Sequence, residues 1–422
     1  MNPAQAVLSS LPKRPRILFA ADAYLPWSGG SRVYYHNLYS RLALRYGYDV
    51  SILTSHTPGD REFDRQPDAA RLQIVRYGRA LDDWKYKRLP AVAAQLCRSG
   101  LALARISPVA FHCGDLIPQA FNAMMLHKLT GRPYLVYVHG DEISQTNQRR
   151  YQPRVRDAIY RNAAALIAAN PYALAQLRDL LGSTDRCHLL TPGVDFRYFY
   201  AGSPTASLCE RFGSARRPVL LTAARLVKKK GHASLLRALV RVVEEFPTLL
   251  YLVAGDGPER QRLEASVQAL ALQNHVVFLG DVPHEALGEY YRFADMFVMP
   301  NRIDQGGDVE SFGMVFIEAN ACGKPVIGGR SGGTSAAVAE GTTGLLCQPN
   351  DDRNITATML QLLRDPELMR RMGAAGAERA RKDFCWDTRA GALHAIIQRM
   401  MLENGSVSLS GARAFPSPGE HP

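Results

Sequence analysis

The chain has 422 residues, 46% hydrophobic and 21% charged, an ordinary globular mix and long enough for two domains. No apolar run approaches the roughly 18–20 residues that span a bilayer, and the opening MNPAQAVLSSLPKRPR lacks a charged-then-apolar signal pattern. The formal charge of +12 is lopsided: residues 1–200 hold 26 Lys and Arg against 15 Asp and Glu, a surplus of 11, and the rest is near balance.

Residues 1–14 are expected to form a flexible arm. From there, short apolar and β-branched runs alternate with helix-length segments. The runs are RILFAAD (16–22), DVSILTS (49–55), LQIVRYG (72–78), VAFHCG (109–114), YLVYVHG (134–140), ALIAAN (165–170) and HLLTPG (188–193). The first is followed by YLPWSGG and an amphipathic stretch, SRVYYHNLYSRLALRYG (31–47). Gly29 and Gly30 there allow close backbone approach to a phosphate or sugar, although such a pair also makes a plain turn. YVHGDEI (137–143) sets His139 at the carboxyl end of an apolar strand, where a substrate would sit and where a structural histidine would fit equally. Continuous apolar strands separated by helices argue for parallel sheets covered on both faces.

Gly, Ser and Pro break the rhythm in YAGSPTASLCERFGSARRP (200–218), which reads as an interdomain linker. The alternation restarts with VLLTAAR (219–225), LLYLVAG (249–255), VVFLG (276–280), MFVMP (296–300), PVIGG (325–329) and GLLCQ (344–348), with helices over 232–246 and 258–272 among them. In TAARLVKKKGHASLLRAL, Arg225 ends a strand, three lysines come next, and a helix begins after Gly231. Two cations at a strand's end before a helix N-terminus can clamp a diphosphate, or form a solvated basic loop. In ESFGMVFIEANACG a helix is expected from about Gly313 to Ala321. Glu310 then lies in the loop at its mouth and Glu318 two turns in, an eight-residue step of roughly 80°. The free amides of Phe312, Gly313, Met314 and Val315 suit a phosphate, and a carboxylate beside them suits hydroxyl groups. A last helix is expected at 387–402 and a disordered tail beyond. The seven scattered cysteines, with no C-x-x-C pair, read as small apolar packing residues.

The fragments ARLVKKKG, AGDGPE, FLGDV, YYRFADMFVMPNR, ESFGMVFIEANACGKPVIGG and GTTGLLCQPND resemble the nucleotide-sugar domain of retaining glycosyltransferases of family 4, the group that includes phosphatidylinositol mannosyltransferases and sucrose synthases. The resemblance covers roughly residues 15–400. It implies an α/β protein of the GT-B fold, two doubly wound Rossmann-like parallel-sheet domains facing a central cleft. The expected domains are 15–200, which takes the acceptor, and 218–384, which takes the donor, with a linker at 201–217. A helix at 385–402 would return toward the N-terminal domain, and 403–422 would be tail. By the same resemblance Arg225 and Lys230 neutralise the donor diphosphate, Glu310 holds sugar hydroxyls and Glu318 reaches the ribose. Phe312 to Val315 give amides, Val282 lies at the base, His139 lies beside the sugar, and Gly29 and Gly30 close over the phosphates. Two departures stand out: Pro192 occupies a position before GVD where the family often has Asn, and Ser335-Ala336 replaces a usual Pro-Glu after SGG.

The resemblance also implies a metal-independent hexosyltransferase with no cofactor beyond its donor substrate, GDP-mannose by a slight preference or a UDP-sugar. The DVPHEAL loop lacks a well-placed Asp for guanine. The basic first half suits a lipid-linked or other carbohydrate acceptor and an anionic membrane surface, hence a cytoplasmic protein peripheral on the inner face. The dispersed arginines lack the tight cluster of a nucleic-acid patch, and no nucleic acid is expected as a partner. Rival readings are a UDP-sugar enzyme acting on a small-molecule acceptor, a sugar-nucleotide epimerase of the same fold, a nucleic-acid-binding module, and a nicotinamide enzyme, for which GDGPER offers just Gly-x-Gly.

Overall fold

The computed structural model describes residues 14–26, 29–67, 69, 71–79, 97–98, 100–102, 105–140, 142–143, 153–213, 217–304 and 309–403. The expected arm and tail lie outside the described residues, apart from Arg14 and Glu403.

Every expected strand forms. The first sheet holds β1 (Arg16–Ala20), β2 (Asp49–His56), β3 (Gln73–Arg79), β4 (Ala110–Cys113), β5 (Tyr134–Val138), β6 (Ala165–Ala168) and β7 (Cys187–Leu189), in the order β3-β2-β1-β4-β5-β6-β7. The second holds β8 (Val219–Ala223), β9 (Leu250–Ala254), β10 (Val276–Gly280), β11 (Met296–Met299), β12 (Val326–Gly329) and β13 (Gly344–Cys347), in the order β10-β9-β8-β11-β12-β13. The ladders are parallel, as in Ile17 opposite Val50 and Leu221 opposite Leu252. Each order reverses beside the first strand of its sheet, which places ligand crevices at the carboxyl ends of the central strands.

The strands are apolar throughout because both faces are covered. In the second sheet Leu221, Leu252 and Phe297 point into one fully buried cluster, and their neighbours Leu220, Tyr251 and Val298 point into another. This is the period-two alternation of a strand with helices on both sides. The described residues divide into two compact units. One is drawn from Met1–Tyr137, Arg154–Ile167 and Ala390–Pro422, the other from Val138–Pro153 and Ala168–Arg389.

Helix limits obey local chemistry. The helix Gly30–Tyr46 stops at Gly47, whose φ of 70° is the left-handed cap that glycine adopts without strain. Asn170 opens Pro171–Leu181 by accepting the amide of Ala173 at 2.7 Å, with proline in the first turn. Three local expectations need correction. The seventh strand starts at Cys187 and ends before Thr191-Pro192, because Pro192 has no amide to extend a ladder. The helix expected at 258–272 is shorter, Arg260–Ala269, and Ala271 beyond it has a φ of 55°. The segment read as linker contains a helix, Ala206–Phe212, whose Leu208 and Phe212 are buried in the core of the second sheet. The cysteines also divide: Cys113, Cys322 and Cys347 are buried, whereas Cys97 is exposed.

In the first unit, Arg76 on β3 is nearly buried and forks onto Asp64 at 2.8 and 2.7 Å while donating to the carbonyl of Leu25 at 2.7 Å. This fixes the backbone just ahead of the Gly-Gly turn. Residues of the last helix, Trp386–Glu403, also pack there: His394 stacks on Tyr46 with centroids 4.4 Å apart and bonds the Tyr48 hydroxyl at 2.9 Å.

Leu252 is fully buried between Leu221 and Val277 on adjoining strands. Leu252→Ala is expected to cost about 2–5 kcal/mol, read as a lower urea midpoint at unchanged slope.

Candidate active site

The site grows from the carboxyl end of β8. Two residues past the strand, Arg225 is exposed. Among the described residues no carboxylate pairs with its guanidinium. The chain is then pinned inward by Leu226, which is fully buried and bonds the carbonyl of Asp256 at 2.9 Å. A single 3-10 turn, Lys228–Lys230, turns the chain into the helix His232–Glu245. The lysines separate sharply. Lys228 is exposed, Lys229 reaches the carbonyl of Val309 at 3.3 Å, and Lys230 donates to Glu310 Oε2. Gly231 closes the turn with a φ of 80°, and a Cβ there would lie 2.0 Å from the carbonyl of Pro300. No side chain fits at that crossing, so the lysine turn is locked against the end of β11. Behind it His232 is buried against the Tyr251 hydroxyl at 3.4 Å. Burial, then the Lys230 charge, hold its ring down at about 4.

Glu310 approaches from a loop eighty residues further on. It lies ahead of the helix Met314–Ala321, which opens at Gly313, within a residue of the expected start. The Glu310 carbonyl accepts the amide of Gly333 at 2.9 Å. Gly333 passes so close that a Cβ would lie 1.7 Å from the carbonyl of Ser311, which is the physical reason for glycine in SGGT. Burial pushes the Glu310 carboxyl up, but Lys230, then Lys229 and the Gly313 amide, outweigh it and hold the group below its ordinary value. One of the four expected phosphate-facing amides, that of Gly313, is thus engaged by Glu310 itself. Those of Met314 and Val315 lie in the first helical turn, where a helix offers no acceptor. Phe312 is buried, its ring 5.8 Å from Phe384.

Glu318 does not share partners with Glu310. Its side chain is 4% exposed, with Oε1 3.0 Å from His284 Nε2 and Oε2 accepting the Tyr291 hydroxyl at 3.3 Å. Val282 is half-buried two residues before His284, between β10 and the helix His284–Phe293. His139 comes directly after β5. Its amide and that of Gly140 are donated to the Glu142 carboxylate at 3.2 and 2.9 Å, and its carbonyl accepts from Asn170 at 2.9 Å. Gly29 and Gly30 are exposed at the start of Gly30–Tyr46, the Gly29 carbonyl taking the amides of Arg32 and Val33.

The geometry therefore joins Lys230 to Glu310 and gives Glu318 separate partners in His284 and Tyr291. Sequence reading passed over several supports. Asn301 is fully buried and ties β11 to β12 and the next helix through Gly329 (3.1 Å) and Thr334 (2.7 Å). An Asn straight after the strand MFVMP was its signal. Asn170 was signalled by Asn-Pro, and Glu142 by its place in HGDE. Tyr291 carried no distinguishing mark. At the departure from Pro-Glu, Ser335 is exposed and Arg379 caps the carbonyls of Ala336 and Ala337 at 2.8 and 2.6 Å.

Residues 28–198 match the family described as Glycosyltransferase Family 4, and residues 210–379 the one described as Glycosyl transferases group 1. A GDP-mannose-dependent alpha-(1-6)-phosphatidylinositol monomannoside mannosyltransferase of Mycolicibacterium smegmatis is 30% identical over 387 residues, 90% of this chain and 98% of that protein. The chain is a family 4 glycosyltransferase of the GT-B fold. The sucrose-phosphate synthase of Thermosynechococcus elongatus has a similar structure, with a TM-score of 0.78 at 25% identity over 92% of this chain and all of that one. Anabaena HepE, solved with UDP and glucose, gives 0.75 at 19% identity over 92% and 100%. Membership of this glycosyltransferase family sets aside the epimerase, nucleic-acid and nicotinamide readings. Among the described residues no helix is long and apolar enough to cross a membrane.

The Glu310 carboxyl sits lower in the folded chain than in the unfolded one, where it titrates near about 4.3. Its contribution to stability is therefore fully present above that pH and lost as pH falls through the folded value. Glu310→Gln should differ in stability from wild type by a constant amount above about pH 5 and converge with it on acidification. Chemical denaturation at stepped pH reads this; parallel curves down to low pH would count against the ion pair.

Proposed function

We propose that this enzyme transfers mannose from GDP-mannose, with retention and without a metal ion, to a lipid-linked acceptor. The observation that carries the chemistry is the pairing of Lys230 with Glu310 at the ends of neighbouring strands. A cation for the diphosphate and a carboxylate for hydroxyls are adjacent before any donor arrives. On binding, the amine turns to the phosphate and Glu310 is released to accept from the sugar. Arg225 adds a second cation, and Met314 and Val315 add amides. Charge grows on the bridging oxygen as the glycosidic bond breaks, and each positioned donor of this kind stabilises that state by about 2.7–4 kcal/mol. The departing phosphate takes the proton of the acceptor hydroxyl, so no enzyme nucleophile is needed. His139 beside the sugar, Val282 at the base, Glu318 at the ribose and Gly29 and Gly30 at the phosphates carry their roles by resemblance.

Mannose and guanine are favoured by the relative from Mycolicibacterium smegmatis, a GDP-mannose-dependent enzyme that acts on a phosphatidylinositol mannoside. A lipid acceptor and a peripheral place on the inner membrane face fit the surplus of basic residues in the first 200. A UDP-sugar enzyme with a small-molecule acceptor stays as the second reading, because DVPHEAL offers no well-placed Asp to guanine.

Arg225→Ala, Lys230→Ala and Glu310→Ala should each lower kcat about 100-fold or more, with GDP-mannose but not UDP-glucose raising the melting temperature of wild type. Near-normal transfer by all three would remove the mechanism, and a shift with UDP-sugars alone would replace the donor. Anionic vesicles at low salt should bind the protein; no binding would count against the membrane placement.

A further inference from the structure

His139 is held through its main chain from both sides. Its amide donates to Glu142 Oε2 at 3.2 Å, and the next amide, that of Gly140, donates to the same oxygen at 2.9 Å. Two successive amides make an anion-seeking concavity, and here the chain fills it with its own carboxylate. On the other side the His139 carbonyl accepts from Asn170 Nδ2 at 2.9 Å. Asn170 is fully buried, and its Oδ1 accepts the amide of Ala173 at 2.7 Å, so the side-chain amide is oriented by both partners. Gly140 has a φ of 110°, and a Cβ there would stand 3.2 Å from the Tyr172 ring and 3.3 Å from Gln176 Oε1, both on the helix that Asn170 opens. Glycine takes that backbone without strain, and the turn after β5 lies directly on the helix. The amide of Ile143 closes the turn on the Gly140 carbonyl at 3.3 Å.

We infer that Glu142 is a positioning residue for sugar transfer, acting through His139, with Asn170 as the second hold. This deepens the proposed function and rests on its placing of His139 beside the sugar. His139 lies one residue past the end of β5, where the sheet no longer sets the path of the chain. Hydrogen bonds to an ionised carboxylate are the stronger kind, so the bond from Glu142 fixes the amide side of His139 while Asn170 fixes the carbonyl side. The Cα and the direction of the side chain are then set before a donor arrives. A shift of about 1 Å in a group of this kind costs about 100-fold in rate. The oxygen that Glu142 turns to the two amides is spent on them, so its effect on the sugar passes through His139. The effect falls on the rate of transfer and not on the hold of the diphosphate, which the proposed function gives to Arg225, Lys230 and the helix mouth.

A double-mutant cycle tests this. Turnover is read as release of the nucleoside diphosphate from GDP-mannose, or from a UDP-sugar should wild type use that donor, with phosphatidylinositol monomannoside in detergent as acceptor. Glu142→Ala should lower kcat about 10- to 100-fold and His139→Ala at least as much. The variant carrying both should match His139→Ala alone within about twofold, because the carboxylate has nothing left to position. Glu142→Gln, which keeps an accepting oxygen, should recover part of the rate. Calorimetry should find the diphosphate bound by each variant as by wild type. A Glu142→Ala protein that fails to fold would lose that binding, and Glu142→Gln, alone and with His139→Ala, then decides by the same comparison. Wild-type kcat in both Glu142 variants would overturn the inference and leave the proposed function standing, as would losses that multiply in the double variant. Wild-type kcat in His139→Ala would remove the placing of His139 and the inference with it, while Arg225, Lys230 and Glu310 are judged by their own variants. Absence of turnover by wild type with either donor would remove the proposed function and the inference together.

Discussion

An ammonium and a carboxylate held together at the end of a parallel sheet are the constraint on which this site rests. Lys230 and Glu310 stand eighty residues apart in sequence, and both are largely shielded from water. A partly desolvated pair of this kind gains little net stability, because the cost of leaving water offsets much of the attraction. Its value is positional. The two side chains hold each other in place, and Lys230 keeps the Glu310 carboxyl below its ordinary value; on the proposed function, a diphosphate-linked sugar would meet a cation and a hydrogen-bond acceptor already paired. The locked turn at Gly231 and the close crossing at Gly333 serve that pair: each replaces a side chain by a backbone contact, and each holds one of the two loops.

Parallel strands supply the reason that such distant residues converge. All strand ends of a parallel sheet point the same way, and the loops beyond them gather on one edge. Arg225, Lys230, Val282, Asn301 and Glu310 all lie after carboxyl ends of strands in the second sheet. The buried faces stabilise the scaffold without constraining those loops, which are free to carry polar chemistry. Asn301 shows the border between the two: it is fully buried, yet spends its amide joining loop segments rather than packing.

The architecture was largely legible because its signals are local. Apolar runs such as LLYLVAG and MFVMP cannot be half-exposed, so parallel buried strands emerge from composition alone, and the helix after Gly313 was placed within a residue. The family resemblance named Lys230 among three lysines, and it is the one whose ammonium meets Glu310. The illegible part is made of long-range partners. That Glu318 would point at His284 and Tyr291 depends on how the helices His284–Phe293 and Met314–Ala321 pack, which no spacing encodes. The helix Ala206–Phe212 was obscured for the opposite reason: flanking Gly, Ser and Pro masked a short amphipathic turn that tertiary burial of Leu208 and Phe212 stabilises.

The two glutamates show why a motif read as a unit divides once the chain is folded. Eight residues apart, they look like one pair of carboxylates serving one ligand. In the fold, Glu310 stands outside the helix, answers to lysines and is held below its ordinary pKa by them. Glu318 stands inside the helix and answers to a histidine and a tyrosine. In the proposed mechanism the cation-paired carboxylate is released when a phosphate draws the lysine away, so it changes partners during turnover. The histidine-paired one is nearly buried, with one oxygen on each of its two partners. The same residue type at the two ends of one motif thus meets different surroundings, a lysine turn at Glu310 and a histidine and tyrosine at Glu318.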